Sequence, residues 1–261
     1  MSMNLNIVPP RAGLQWAREG IRTFWKQPLA MSGLFFLFLA TVSLISMMPL
    51  VGSLLALASL PALNTGLLAA TRIAQGGRFP MPSVLYLAFR SGPARRAMFQ
   101  LGLLYAVGFL LLMGASMLID GGQFASAYLG HSPINVDLVE SSSFQAALWI
   151  SMLLYAPLAM LFWHAPALVQ WQGVSAAKSL FFSAVACWRN IGAFMVYVSI
   201  WAALFAAAAV LAILITTLMG QPALLMAVLM PLALLVAAMF FTSMLFSIEA
   251  CFQVSASERA D

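Results

Sequence analysis

Charged side chains are scarce in this chain. Asp, Glu, Lys and Arg together make up 7% of its 261 residues, whereas a soluble domain carries roughly a quarter. Hydrophobic residues make up 63%, and the mean hydropathy is +0.98. A soluble fold of this length could not bury so much apolar surface, so lipid must be the solvent for much of the chain.

Residues that carry catalytic or metal chemistry are also few. The chain has two histidines, His131 and His164, and two cysteines, Cys187 and Cys251. These four are far apart in sequence and make a poor metal set. The motifs of zinc proteases, serine hydrolases and P-loop nucleotide-binding proteins are absent. We therefore expect a protein that is not an enzyme and has no cofactor and no metal site, with both cysteines as reduced thiols.

Long apolar runs are what the sequence has in abundance. A membrane-spanning helix needs about 20 mostly apolar residues, and six segments qualify: 29–48, 53–73, 97–119, 145–169, 192–218 and 223–248. Turn residues join the first pair around Pro49 and Gly52, and the last pair around Gly220 and Pro222. The sequence predicts an all-α polytopic helical bundle, a single membrane domain over 1–261 with hairpins at 29–73 and 192–248.

Basic residues fix the expected orientation of these spans. All 12 lie before the first span, between the second and third, between the fourth and fifth, or after the sixth. By the positive-inside rule that side is cytoplasmic, so both termini face the cytoplasm and the 120–144 loop faces outward. This loop contains Asp137 and Glu140 beside His131, which we interpret as a solvated acidic loop rather than a weak cation site.

Two segments outside the spans have an amphipathic helical pattern. The first, 12–27, places apolar residues on one stripe and polar ones on another: Leu14, Ala17, Ile21, Phe24 and Trp25 against Gln15, Arg18, Glu19, Arg22 and Lys26. The second, 176–190, has an apolar face of Ala177, Leu180, Phe181, Ala184, Val185 and Trp188. We expect both helices to lie in the cytoplasmic headgroup layer, with Trp25 and Trp188 as interfacial anchors.

These two helices end in similar tripeptides, Trp25-Lys26-Gln27 and Trp188-Arg189-Asn190. A third segment, 82–101, has the same plan, with a short apolar helix followed by arginines and a span; together with spans 3 and 4 it covers 82–169. One hypothesis is a triplicated unit of an interfacial helix plus a two-helix hairpin. The other is that any positive-inside hairpin converges on aromatic, basic and amide residues where a span begins.

Three polar residues fall within or beside the predicted spans. Asn64 follows Pro61 in the second span, His164 lies between two prolines in the fourth, and Glu249 closes the sixth. Polar groups at membrane depth can mark a transport pathway. They can equally form hydrogen bonds between helices, and Glu249 is within reach of Arg72 or Arg189. We favour packing at all three positions.

Three sequence blocks carry a family resemblance. NIVPPRAGLQWAREGIRTFWKQPLA, MPLVGSLLALASLPALNTGLLAATR and HAPALVQWQGVSAAKSLFFSAVACWRNIGAFMVY resemble the signature blocks of an uncharacterised proteobacterial inner-membrane protein family. The resemblance covers nearly the whole chain except the outward loop. It implies a multi-pass protein of the bacterial inner membrane with six spans, and it implies no activity. In that membrane the 120–144 loop, which the positive-inside rule places outward, would be periplasmic.

Two classes of function are compatible with these features. The first is a non-enzymatic scaffold, assembly or lipid-organising protein. Its basic residues would contact anionic headgroups on the cytoplasmic face: Arg18, Arg22, Lys26, Arg90, Arg95, Arg96, Lys178 and Arg189. The second is a small-solute or lipid transporter that uses the polar residues of spans 2 and 4. A membrane-protein partner or a second copy of the chain is possible in the first class. Nucleic acid is not expected, because the basic residues sit between apolar runs.

Overall fold

The computed structural model describes residues 5–90, 92–129, 132–133 and 135–252, and over these residues the chain is built from helices. The α-helices are α1 (Ala12–Lys26), α2 (Pro28–Ser46), α3 (Gly52–Gln75), α4 (Leu87–Arg90), α5 (Gly92–Asp120), α6 (Gln123–Tyr128), α7 (Val136–Glu140), α8 (Ser142–Phe162), α9 (Ala165–Gln172), α10 (Ala176–Arg189), α11 (Ile191–Leu218) and α12 (Leu225–Cys251). Short 3-10 helices precede α4 and α12, at Pro82–Tyr86 and Pro222–Leu224. The prediction of an all-α fold is confirmed.

Within the described residues, six helical segments are long and apolar enough to cross a membrane, as the sequence predicts. They are Pro28–Ser46, Gly52–Gln75, Gly92–Asp120, Ser142–Gln172, Ile191–Leu218 and Pro222–Cys251. Most extend beyond the predicted limits, because a helix continues past the apolar run until a turn residue stops it. The third span begins at Gly92, so Arg95 and Arg96 belong to its first two turns.

Proline and glycine set the main interruptions. Pro166 lacks an N–H, and its ring would clash with the carbonyl of Phe162 in a continuous helix. Accordingly α8 ends at Phe162, and α9 starts at Ala165. Beyond α5, Gly121 and Gly122 have φ angles of 68° and 92°, a backbone conformation that glycine adopts without steric cost. Asp120 accepts hydrogen bonds from the backbone N–H groups of Gly122 and Phe124, at 2.9 and 2.6 Å, which starts α6.

Contacts divide the chain into two units. The first unit takes in Met1–Thr41, Leu63–Ser91 and Val185–Asp261. In it, α1 packs against α11 and α12. The Trp16 ring lies 5.2 Å from Phe194 and 5.9 Å from Tyr197, and the Tyr197 hydroxyl hydrogen-bonds Ser243 on α12 at 2.5 Å. These ring contacts make α1 part of the helix bundle of this unit.

The second unit takes in Val42–Ala62 and Gly92–Ala184. Its main contact joins α5 to α8, and α6 and α9 also pack on α5. Small residues permit close approach, since a Cβ on Gly102 would overlap the backbone carbonyl of Ala58. Tyr105 on α5 meets Phe162 at the end of α8, edge to face, with ring centroids 5.0 Å apart.

Candidate lipid-contact face and buried polar residues

Helix α1 has two faces with different surroundings. The inner face is buried and consists of Ala12, Gly13, Trp16, Ala17, Gly20, Thr23 and Phe24. A Cβ on Gly13 would overlap the carbonyl of Ala193 on α11, and one on Gly20 would overlap Ser243 on α12. The α1 backbone therefore lies directly against two membrane-spanning helices, as small residues allow in membrane helix packing.

The outer face of α1 carries its cations. Arg18, Arg22 and Lys26 follow one another at helical spacing and are exposed. Leu14 and Trp25 lie beside them, and the Trp25 side chain is 58% exposed. The prediction of a single apolar stripe is therefore wrong: Ala17 and Phe24 pack on protein, whereas Leu14 and Trp25 face outward. Apolar residues are split between two faces of α1 because the small residues and the aromatic rings of Trp16 and Phe24 pack in the protein interior.

Lys26 also has a partner within the protein. Its Nζ donates to the carbonyl of Gln75, the last residue of α3, at 2.9 Å. The neighbouring Gln27 side chain donates to the carbonyl of Gly77 at 3.2 Å. A lysine at a helix C-terminus is favourably placed against the helix dipole. Arg18 and Arg22 are thus better placed than Lys26 to contact headgroups.

The other predicted headgroup contacts are all exposed, and they are distributed over several elements: Arg90, Arg95, Arg96, Lys178 and Arg189. Arg90 and Arg189 belong to the first unit, and the other three belong to the second. None of these five side chains is covered by the described part of the chain.

Helix α10 presents aromatic residues outward and polar residues inward. Trp188 is 72% exposed, and Phe181 is also exposed. Ser179, Ser183 and the following Asn190 are buried. The apolar face predicted from the sequence is therefore the face away from protein.

Asn190 is a hydrogen-bonding centre that the sequence analysis did not single out. Its Oδ1 accepts from the backbone N–H of Val8 at 2.8 Å, and its Nδ2 lies 3.0 Å from the carbonyls of both Asn6 and Ala186. The same Nδ2 is 3.6 Å from the sulfur of Cys251. One buried amide thus holds the N-terminal segment, the α10–α11 junction and the end of α12 together. Its place in the third resemblance block was the available signal.

His164 lies at the break between α8 and α9 and is fully buried. Its backbone N–H donates to the Ser183 hydroxyl at 2.9 Å, and that hydroxyl donates to the carbonyl of Met160 at 2.7 Å. Ser183 therefore bridges the two backbone groups on either side of the interruption. His164 is a candidate from the sequence, whereas Ser183 is not, because the pattern of a single helix does not show that the serine side of α10 faces protein.

Replacing Ser183 with alanine should lower the free energy of unfolding by about 1–3 kcal/mol, because two buried hydrogen bonds are lost at once. Ser179→Ala is the matched control. Ser179 is equally buried, but its hydroxyl bonds only the carbonyl of Ala176 in its own helix, at 2.7 Å. Thermal unfolding of the purified proteins in detergent compares the two. Equal stability of both variants would contradict the bridging role.

The two remaining intramembrane candidates differ in how well they are paired. Glu249 pairs with Arg72, with the Arg72 Nε and Glu249 Oε1 atoms 3.2 Å apart. Of the two arginines within reach in the sequence, Arg72 and Arg189, it is therefore Arg72 that forms the ion pair. Both side chains remain about one third exposed, which limits the energy of such a pair. Asn64 is half-buried, and its Oδ1 has no hydrogen-bond partner within the described residues.

Two acidic residues of the outward loop are exposed, and the two cysteines are buried. Asp137 and Glu140 are exposed on the short helix α7, and His131 lies outside the described residues. Among residues that are described, no three His, Cys, Asp or Glu side chains converge as metal ligands would. Cys187 and Cys251 are buried thiols, and burial raises the pKa of the Cys187 thiol above its usual value.

Comparison with known proteins identifies one informative relative. The chain is 37% identical over 256 residues to a protein of Burkholderia thailandensis named as a probable inner membrane protein, and the match covers 97% of this chain and 95% of that protein. No family model and no solved structure matches the chain. With six apolar helices and a match over almost the whole of both proteins, the chain belongs to this family of multi-pass inner membrane proteins.

Proposed function

We propose that this protein is a non-enzymatic, lipid-organising component of the inner membrane that binds anionic headgroups through the outer face of α1. The observation that carries the proposal is the two-faced structure of this helix. Its inner face is buried against α11 and α12, while Arg18 and Arg22 are exposed on the opposite face beside Leu14 and Trp25. A cationic face held rigidly at a helix surface meets headgroups without first having to fold, unlike a free amphipathic peptide.

Charge reversal on this face tests the proposal. Each basic residue close to an anionic surface contributes about 1 kcal/mol. Changing Arg18 and Arg22 together to Glu should therefore weaken binding of phosphatidylglycerol by at least about tenfold. The measurement is a titration of the purified full chain with this lipid, with bound lipid counted by native mass spectrometry.

The matched control is the double change of Arg18 and Arg22 to Lys. It keeps both charges and should keep most of the affinity. Binding of zwitterionic phosphatidylethanolamine should change little in either variant. The proposal fails if charge reversal leaves phosphatidylglycerol binding intact, or if both lipids lose affinity equally.

The proposal requires the α1 face to lie on the cytoplasmic side. The distribution of all 12 basic residues supports this orientation. Reporter fusions at Gln75, Ala176 and the C-terminus should then report the cytoplasm, and a fusion at His131 should report the periplasm. A periplasmic signal at Ala176 would contradict the six-span topology.

Transport is the second candidate function, and Asn64 is the observation in its favour. Its Oδ1 is buried without a hydrogen-bond partner in the described chain, and Pro61 interrupts the hydrogen bonding of α3 one turn earlier. Affinity purification from native membranes, with lipids and proteins identified together, separates the classes. A bound solute favours transport, whereas a stable protein partner or a second copy of the chain favours scaffolding.

A further inference from the structure

The second unit contains a cavity between α5, α6 and α8. Its volume is about 440 Å³, which lies within the range of small-molecule binding pockets. Three of the chain's five tyrosines line it. The described residues that line it are Tyr105, Phe109, Leu112, Met113, Phe124, Tyr128, Leu148, Ser151, Met152 and Tyr155. All these residues belong to the second unit, so the cavity is independent of the α1 face proposed above.

One wall of the cavity is aromatic. The Tyr105 and Phe109 rings are stacked with centroids 6.4 Å apart, and Phe109 is 5.7 Å from Tyr128. Tyr128 in turn lies 6.1 Å from Phe124. Such a series of ring faces suits flat, conjugated groups, since aromatic faces favour offset stacking.

Hydroxyl groups supply the polar contacts. Ser151 is 4% exposed, and its Oγ has no hydrogen-bond partner in the part of the chain that is described. A buried hydroxyl without a partner costs free energy, and a ligand oxygen would satisfy it. Tyr105, Tyr128 and Tyr155 also line the cavity, and each carries a hydroxyl group.

Among the lining residues that the structure describes, none carries a charge. The nearby carboxylate of Asp120 is already occupied by the backbone N–H groups of Gly122 and Phe124. A phosphate group would require arginine, lysine or several backbone donors. The lining therefore selects against a charged headgroup and favours a neutral oxygen acceptor.

The cavity lies at membrane depth. Ser151 is nine residues beyond Ser142, the first residue of α8, which places it about 14 Å along the helix axis. Met152 and Tyr155, also in the lining, are exposed on the surface of the same span. A molecule dissolved in the bilayer therefore has a lateral route into the cavity.

We propose that this cavity binds a neutral, membrane-soluble molecule with carbonyl oxygens, either the ring of a quinone or the ester groups of a diacylglycerol. The hydroxyls of Ser151 and Tyr128 donate to the carbonyl oxygens. The aromatic wall contacts the flat carbonyl-bearing group, and the leucine and methionine side chains contact the apolar remainder.

The test is a binding titration of the purified full chain in detergent with three probes: a decyl-substituted benzoquinone, dioctanoylglycerol and dioctanoyl-phosphatidylglycerol. Bound probe is counted by native mass spectrometry, and protein-free micelles give the background. One or both neutral probes should bind saturably. Which of them binds identifies the source of the carbonyl. Ser151→Ala and Tyr128→Phe should each weaken that binding about two- to tenfold, as expected for the loss of one hydrogen bond.

Tyr86→Phe is the matched control, because Tyr86 lies outside the cavity lining and bonds Thr41 instead. It should leave binding unchanged. Tyr128 is exposed and Tyr128→Phe keeps its ring, so this variant remains informative if Ser151→Ala affects folding. The proposal is overturned if neither neutral probe binds saturably, if both variants bind as the unmodified chain does, or if phosphatidylglycerol binds with the same sensitivity to these substitutions.

Discussion

Gly20→Ala should undock α1 and sharply reduce the amount of folded protein. A Cβ at this position would lie 2.5 Å from the Cα and 2.9 Å from the backbone nitrogen of Ser243. Backbone atoms inside α12 cannot relieve the overlap by changing rotamer, as a flexible side chain could. Overpacking of this kind costs about 1–3 kcal/mol and occasionally more, and we expect the upper part of that range. Thermal unfolding in detergent and abundance in the membrane measure the loss.

Gly33→Ala is the matched control. Gly33 lies in the span α2, and nothing stands within 4 Å of the Cβ that alanine would add. Alanine is favoured over glycine in a helix by about 1 kcal/mol, so this change should be neutral or slightly stabilising. If both variants lose the same stability, close contact between α1 and α12 is not what holds the first unit together.

The same substitution connects stability with the proposed function. Gly20→Ala changes no charge, yet it should weaken phosphatidylglycerol binding, because Arg18 and Arg22 would no longer be held on one rigid face. Retention of full affinity by a well-folded Gly20→Ala protein would show that the cations act independently of the docking of α1.

The spans could be predicted because their signal is local. Twenty consecutive apolar residues leave few alternatives in lipid, and Gly121 and Gly220, with positive φ, mark helix ends where the sequence suggests them. The inner and outer faces of α1 could not be separated in this way. Lipid tails are as apolar as leucine, so Leu14 and Phe24 look alike by hydropathy although one is exposed and the other buried. The small residues Gly13, Ala17 and Gly20 on one side were the overlooked sign of helix packing.

The buried polar contacts were beyond sequence reasoning for a different reason. Ser183 reaches backbone groups about twenty positions earlier, and Asn190 bonds Val8, 182 positions away. Neither contact follows the short repeat of a helix or a strand, so a sequence pattern does not reveal it. In α10 the serine side chains are buried and Phe181 and Trp188 are exposed, which reverses the usual arrangement of an amphipathic helix in a soluble protein. The tyrosines of the cavity likewise come from three separate helices.

Asn190→Leu should produce the second large loss of stability. Leucine has a similar size but removes the acceptor for the Val8 N–H and the donor to the Asn6 carbonyl. A fully buried backbone group left unsatisfied costs about 1–3 kcal/mol. These two groups are part-buried, so each should cost about 1–2 kcal/mol and the expected loss is about 2–4 kcal/mol. The Ala186 carbonyl also loses the Asn190 side chain, but it stays satisfied because it still accepts a hydrogen bond from the backbone N–H of residue 190. Hydrogen exchange should therefore accelerate at Val8, because its amide loses its acceptor, while the interior of α11 remains protected.

Asn64→Leu is the matched control, since it makes the same chemical change at an asparagine whose Oδ1 has no hydrogen-bond partner among the described residues. Removing a buried acceptor without a partner should cost nothing or stabilise the protein. The pair also separates the two candidate functions in a deletion strain complemented with each variant. If Asn64 only packs, the variant should support the cellular role at normal abundance. If that role is lost while the protein stays folded and abundant, Asn64 belongs to a transport pathway, and the lipid-organising proposal gives way to the second candidate.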